Sequence, residues 1–309
     1  HKVVKVERLP YREDVFCMEV PGIGWFYANN VLVHNCTFCA PSRERISGRR
    51  CRVRTVEHLM LELAGIHRAR PSGIGSVMIH DDLLGGQRWL TEFVALWRRT
   101  LPRIPCWCQM RADTVIAIRD LIPDLAEIGM TWASLGFETG SQRMLDFLDK
   151  GTTVEQNIEA AAILHDSQIN IFGNYIVGLP TETPEDLAAT ETMLEVIRPE
   201  HHSCSTYTSY PGSYLNEWIK ANDYWVPGDE HYSRIRYPYE RKIRGVDYEH
   251  LGELIGRWNA LYTNPLREWR AKPQYVLPAM PEPTSPETQP IVEASVPSPS
   301  ISIIIVSYR

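Results

Sequence analysis

The sequence predicts an α/β protein: a parallel β-sheet covered by helices, preceded by a short stretch of β structure. Three observations carry this. From residue 36 onward, short apolar runs alternate with longer runs whose apolar residues recur at helical spacing. The connections between them are short, which argues for repeated β–α units and a parallel sheet. Polar and glycine-rich residues fall repeatedly just after the strands, where barrel and doubly wound enzymes both keep their sites. Periodicity alone does not separate those two architectures.

Residues 1–35 read as β structure. Val3, Val4 and Val6 and the run Val15-Phe-Cys-Met-Glu-Val20 are strand formers. Pro21, Gly22 and Gly24 punctuate, Trp25-Phe-Tyr27 resumes the strand, and Asn29-Asn30 turns the chain into Val31-Leu-Val33. Beyond this, Val56, Leu59, Met60, Leu63 and Ile66 mark a helix opened by Thr55. Residues 76–80 read as a buried strand ending in Asp81-Asp82, and Trp89, Leu90, Phe93, Val94 and Trp97 as the next helix. Residues 105–110 are expected as a strand leading to Arg111-Ala-Asp113, then a helical stretch closed by Gly129. A strand over 131–136 runs into Phe137-Glu-Thr-Gly140, followed by helices over 141–149 and 153–166. A strand over 169–177 ends at Gly178-Leu-Pro180. Thr183-Pro184 has the form of a helix N-cap with proline at the first helical position, and Glu185 and Asp186 suit the first turn. A last strand is expected over 203–209. Residues 248–270 read as helical, interrupted by Pro265, and 273–299 as a solvated linker rich in Pro, Glu, Ser and Thr.

The 309 residues are 44% hydrophobic and 23% charged, with net charge -6. That is ordinary for a globular protein, and no basic excess suggests nucleic acid as a partner. No run reaches the roughly 18 apolar residues of a membrane span. Seven cysteines, odd in number and unevenly spaced, are a poor disulfide framework and suit a reducing cytoplasm. The chain opens at His1 and closes within an apolar run, and is read as a piece of a longer product.

Two chemistries meet at Cys36. Val15-Phe-Cys-Met-Glu-Val20, a turn, Trp25-Phe-Tyr-Ala-Asn-Asn30, then Val31-Leu-Val-His-Asn-Cys36 resembles the last blocks of Hint-type inteins, ending at the C-terminal splice junction. The departures are Cys17, where many inteins carry Asp, and Trp25, where His or Asn is common. In such a junction Cys36 supplies a nucleophilic thiol, the Asn35 side-chain amide can cyclise onto its own carbonyl, and His34 can protonate the leaving group.

Downstream, five features resemble, in order, radical S-adenosylmethionine enzymes of the subgroup that includes cobalamin-linked enzymes and methylthiotransferases. They are Cys36-Thr-Phe-Cys39, Ile79-His-Asp-Asp82, Arg111-Ala-Asp113, Leu135-Gly-Phe-Glu-Thr-Gly-Ser141 continuing to Lys150-Gly151, and Tyr175-Ile-Val-Gly-Leu-Pro-Thr-Glu182 with Thr183-Pro-Glu-Asp186. Tyr210-Pro-Gly-Ser213 fits the end of a sixth strand. The resemblance covers residues 36–215 and implies a partial (β/α)6 TIM-type barrel. It implies a 4Fe-4S cluster held by Cys36 and Cys39 and by a cysteine four residues before Cys36, where this chain has Leu32. The first cysteine and the first barrel strand are therefore expected upstream of the intein. The resemblance further assigns S-adenosyl-L-methionine to Asp81, Asp82, Arg111, Glu138, Ser141, Arg143, Gly178 and Glu182, with a surface ion pair as the alternative for Arg111 and Arg143. It implies an electron donor such as flavodoxin or ferredoxin and leaves room for cobalamin on a missing upstream domain. The splicing partners would be the upstream N-extein and the N-terminal intein half.

The domain reading is thus 1–35 intein segment, 36–235 barrel, 236–272 helical extension, 273–299 linker and 300–309 a further start. In that last stretch Ser300-Ile-Ser-Ile-Ile-Ile-Val-Ser-Tyr308 resembles the first strand of family-two glycosyltransferases or is an unrelated buried strand. Two alternatives stand beside the radical enzyme: a splicing element with a passive extein, and a zinc-binding α/β protein using Cys36, Cys39, Cys106 and Cys108. Cys106 and Cys108 are expected on one strand face as packing residues, and His201 and His202 on the surface.

Overall fold

The computed structural model describes residues 25–28, 31–34, 36–38, 55–70, 73–79, 87–209, 213–226, 243–265 and 302–305; for 25–28, 31–34 and 302–305 it gives the backbone course. Asn35, Cys39, Asp81 and Asp82, and the linker over 273–299, lie outside the described residues.

β1 (Trp25–Ala28) and β2 (Val31–His34) form an antiparallel hairpin in the register Trp25↔His34 to Ala28↔Val31. The enzyme-like part then alternates as the spacing predicts: α1 (Val56–Ala69), β3 (Ser76–Ile79), α2 (Gln87–Thr100), β4 (Cys106–Met110), α3 (Ala112–Ala117), α4 (Ile122–Ile128), β5 (Met130–Glu138), α5 (Gln142–Phe147), α6 (Val154–Asp166), β6 (Asn170–Val177), α7 (Pro184–Ile197) and β7 (His201–Thr206). α8 (Tyr214–Ala221) and α9 (Tyr248–Leu261) follow. The sheet runs β7-β6-β5-β4-β3, every pair parallel. β8 (Ser302–Ile305), which the sequence reading assigns to a separate start, lies parallel on the far edge of β3 and extends this sheet.

The element boundaries have local causes. Thr153 and Thr183 cap their helices by accepting from the backbone N–H three residues on, while Gln156 and Asp186 reach back to the cap N–H. The helical stretch expected between Arg111 and Gly129 is not continuous. It breaks into α3, a 3-10 turn over Arg119–Leu121, and α4, which starts afresh with proline in its first turn. β7 begins at His201 rather than at Ser203, and α8, capped by Ser213, is a helix the sequence reading did not mark.

The core is the helix-facing side of the sheet. Cys106, Cys108, Ala133, Leu135, Phe137, Ile171, Tyr175 and Val177 alternate along β4 to β6 and are buried under Trp97, Val115, Leu164 and Leu194. Cys106 and Cys108 are therefore packing residues, as the alternation predicts, and burial pushes the Cys106 thiol up to about 12. His202 corrects an expectation: it is buried, 3% exposed, and meets the Tyr175 ring edge-on. Burial, with His201 beside it, lowers its pKa. Leu251, Leu254 and Trp258 of α9 join the same core, and Arg257 and Tyr262 bind Glu191 of α7 at 2.6 and 2.9 Å. At the lower end of the sheet, Glu200 accepts from the Ile171 N–H at 2.7 Å and from His165 at 3.3 Å.

Gly129 closes α4 at φ +127, and a Cβ there would lie 2.0 Å from the Ile104 carbonyl oxygen. Only glycine fits both the backbone angle and the space. Gly129→Ala is expected to cost on the order of 3 kcal/mol. In thermal melts that is a fall in Tm of roughly 6–12 °C.

Candidate active site

Three of the residues that the sequence marks, Cys36, Arg111 and Glu138, converge where β4 and β5 end. Cys36 and Thr37 follow β2, and Thr37 is tied to the rest of the fold by hydrogen bonds. The Thr37 N–H and hydroxyl both donate to the Leu148 carbonyl, at 3.0 and 3.1 Å, and the Leu215 N–H donates to the Thr37 carbonyl at 2.9 Å. Arg111, just after β4, grips Asp113 through Nε at 3.0 Å and donates to the Lys150 carbonyl at 2.9 Å. The Cys36 thiol lies near enough to act on it electrostatically. Burial alone would lower the Arg111 pKa, but Asp113 and Cys36 reverse this and the net direction is up.

Behind Arg111 lies a buried ion pair. Lys150 Nζ donates to Glu138 Oε1 at 2.5 Å, with both residues 7% exposed. Burial works against the ammonium, but the charges of Glu138 and Cys36 more than offset it, and the Lys150 pKa is raised. The backbone is shaped for this pair. Glu138 stands at φ +63, uncommon for a non-glycine residue, and the β5–β6 register shifts between Gly136 and Glu138. A Cβ on Gly136 would meet Glu138 Oε1 at 2.4 Å and Lys150 Nζ at 3.0 Å. Gly136 leaves the space that the two charged groups occupy.

A second cluster joins the turns after β5 and β6. Ser141 caps α5 and donates to Asp186 Oδ1 at 2.5 Å, and Arg143 also binds Asp186. Thr183 N–H donates to Asp186 Oδ2 at 2.8 Å. Burial would raise the Asp186 carboxyl, but Arg143, Ser141 and Thr183 bring it down to about 2. Four residues earlier, Glu182 goes the other way. Burial pushes it up to about 7 against the lowering effect of the Gly178 and Leu179 N–H groups. The Gly178 N–H donates to Glu182 Oε2 at 2.6 Å, with Gly178 itself at φ +75.

The geometry thus groups Cys36, Arg111 and Glu138 at one point, and Ser141, Arg143, Gly178 and Glu182 at another. Arg143, with its side chain 51% exposed, is held in the ion pair that its alternative reading describes. Lys150, Asp113, Thr37 and Asp186 are site residues the sequence reading did not assign. All four stood inside the quoted motifs, but a polar residue in a motif does not reveal its partner before the fold does. Among the described residues, no three His, Cys, Asp or Glu side chains come together as a metal site.

The profile of the Radical SAM superfamily matches residues 33–194. The chain belongs to that superfamily. It is 28% identical over 191 residues to an uncharacterized methyltransferase of Pyrococcus horikoshii, covering 61% of this chain and 40% of the relative. It is 32% identical over 149 residues to the anaerobic magnesium-protoporphyrin IX monomethyl ester cyclase of Rubrivivax gelatinosus, covering 48% of this chain and 25% of that one. The match therefore spans less than half the length of these curated relatives. Among solved structures, the cobalamin-dependent S-adenosylmethionine radical enzyme OxsB aligns over 61% of this chain and 28% of its own, at 22% identity and TM-score 0.47. Radical SAM enzymes use a 4Fe-4S cluster and S-adenosylmethionine, and homologues of this chain include methyltransferases, cyclases and methylthiotransferases. No described helix is long and apolar enough to cross a membrane.

Two expectations follow. Lys150→Met strands the Glu138 carboxylate in a buried site and should cost about 3–5 kcal/mol in urea unfolding. Adding Glu138→Gln should recover most of that loss; strictly additive losses would contradict a coupled pair. Glu182 has a folded pKa near 7 against an ordinary 4.5, so the folded state binds more protons between these values. Its contribution to stability is present below about pH 4.5 and is lost as pH rises through 7. Glu182→Gln should flatten the decline of the urea midpoint between pH 5 and pH 8, and an unchanged slope would remove Glu182 as its source.

Proposed function

We propose that this chain is part of a radical S-adenosylmethionine enzyme whose cluster loop is restored by protein splicing between Asn35 and Cys36. The observation that carries this is the meeting of two patterns at one residue. An intein-like ending runs up to Asn35, and a stretch resembling the radical enzymes begins with Cys36-Thr-Phe-Cys39. Cys36 then serves twice, as the nucleophile that receives the upstream chain and, after splicing, as an iron ligand.

The residues of this chain do not by themselves fit a three-thiolate cluster. Four residues before Cys36 the chain has Leu32, on β2, where it pairs with Tyr27. The cysteine that completes the loop would come from the N-extein. The chemistry that the chain's own residues perform is at the junction. The Cys36 thiol attacks a thioester at the upstream junction, takes over the acyl group and displaces the thiol of the N-terminal intein half, which leaves with the proton. The Asn35 amide nitrogen then attacks the Asn35 carbonyl carbon. That breaks the peptide bond to Cys36 and leaves a succinimide on the excised segment, while His34 gives a proton to the departing amine. The freed amine of Cys36 takes the acyl group from its own sulfur, forming a peptide bond.

The barrel residues support the same reading. Thr37 and Arg111 hold Cys36 against the mouth of the sheet, beside Glu138 and Lys150. In the spliced enzyme Arg111, Glu138, Ser141, Arg143, Gly178 and Glu182, with Asp81 and Asp82, are assigned to S-adenosylmethionine, and Cys36 and Cys39 to the cluster. A flavodoxin or ferredoxin would supply electrons, an upstream domain would hold any cobalamin, and the compartment would be the cytoplasm.

The test is to supply an upstream segment carrying the N-terminal intein half. A ligated product whose new segment starts at Cys36 is expected by mass spectrometry, and Asn35→Ala should prevent release of that segment. Iron and sulfide reconstitution should then give sulfur-to-iron charge-transfer absorbance in the spliced protein but not in the precursor. Precursor that stays intact beside a folded partner, or that binds a full cluster unspliced, would overturn the proposal.

A further inference from the structure

The face of the sheet opposite the helices is lined differently from the core. On β4 it carries Trp107 and Gln109, on β5 Ser134, on β6 Phe172 and Asn174, and on β7 His201. Trp107, Gln109, Phe172 and Asn174 are half-buried and His201 is exposed, whereas their neighbours Cys106, Cys108, Ile171 and Tyr175 are sealed under the helices. Among the described residues this row is less enclosed than the helix-facing one.

Three rings cross that face. Trp107 and Phe172 have centroids 5.8 Å apart across β5, where Trp107 registers with Trp132 and Phe172 with Ser134, and Phe172 and His201 are 4.7 Å apart. From β4 to β7 is three strand spacings, roughly 14 Å, so the π surface is long enough for fused rings. Its polar groups are incompletely used. Trp107 Nε1 is buried with no acceptor among the described residues. An indole N–H in that position ordinarily has one. Asn174 spends both amide hydrogens, on Ser134 Oγ at 2.9 Å and the Leu135 carbonyl at 3.2 Å, which leaves its oxygen to accept from elsewhere. None of these six side chains carries a fixed charge.

We propose that this inner face binds a flat, uncharged, nitrogen-containing aromatic ring system of the substrate, with a ring acceptor at Trp107 Nε1 and a ring donor at Asn174 Oδ1. The rings of Trp107, Phe172 and His201 supply stacking area, and the two polar groups set orientation. This rests on the reading of the strand ends just above as the active site, because it places the ring system beneath Arg111 and Glu138.

The experiment needs neither cluster nor splicing, so its failure is separate from failure of that reading. The full chain is labelled with nitrogen-15, and the Trp107 indole resonance is identified by its loss in Trp107→Phe. Benzimidazole, flat and carrying both a ring acceptor and a ring N–H, is titrated at pH 8 beside indole, which has the same shape but lacks the acceptor. Benzimidazole should move the Trp107 resonance and bind about tenfold tighter than indole, the worth of one net hydrogen bond. Trp107→Phe should remove that preference. Phe172→Leu should weaken both probes about tenfold through lost stacking, with an unchanged melting curve showing that the fold persists. Equal affinities for the two probes, or a Trp107 resonance that stays in place while either binds, would overturn the proposal.

Discussion

The buried contact between Glu138 and Lys150 is the constraint on which the mouth of this sheet depends. Removing two opposite charges from water costs several kcal/mol for each ion before their attraction repays it. The surroundings must therefore bring the groups to hydrogen-bonding distance and hold them there. The chain does this with backbone. Gly136 withholds a side chain, Glu138 takes a left-handed conformation at the end of β5, and the turn after α5 brings Lys150 back over it. Once Lys150 is placed, its carbonyl receives Arg111, and the Leu148 carbonyl two residues earlier receives Thr37. The position of Cys36 is thus a consequence of where a lysine more than a hundred residues later is buried.

Two carboxylates four residues apart show how far local surroundings separate chemically similar groups. Asp186 faces a guanidinium, two hydroxyls and a backbone N–H and stays charged under almost any condition. Glu182 has backbone N–H groups and little else, and burial brings it to the edge of neutrality. Only the second can change its charge within the ordinary working range. The composition of the turn does not reveal this difference, since both residues follow the same Gly178-Leu-Pro180 run.

The sheet was legible because its causes are local. Alternation in Cys106-Trp-Cys-Gln-Met110, the capping pairs at Thr153 and Thr183, and glycine at 129 each act within a few residues. What escaped the sequence has distant causes. The burial of His202 and the packing of the helix after Ser213 depend on elements far along the chain. The same holds for the site. Motif residues such as Arg111 and Glu138 could be named from the family resemblance, but Lys150, the partner that fixes Glu138, appears only once the turn after α5 folds back over the end of β5. The aromatic row of Trp107, Phe172 and His201 had no signature at all, because its members come from three strands and meet only through register.

The Asp186 cluster bears on how the molecule can open. One carboxylate holds the first turn of α5 and the first turn of α7 together, and Gly140 lies so close to Ala189 that a methyl group would not fit between them. The turns after β5 and β6 therefore move as one body, with no hinge between them. Parting them would take Ser141 and Arg143 away from the carboxylate that also caps α7.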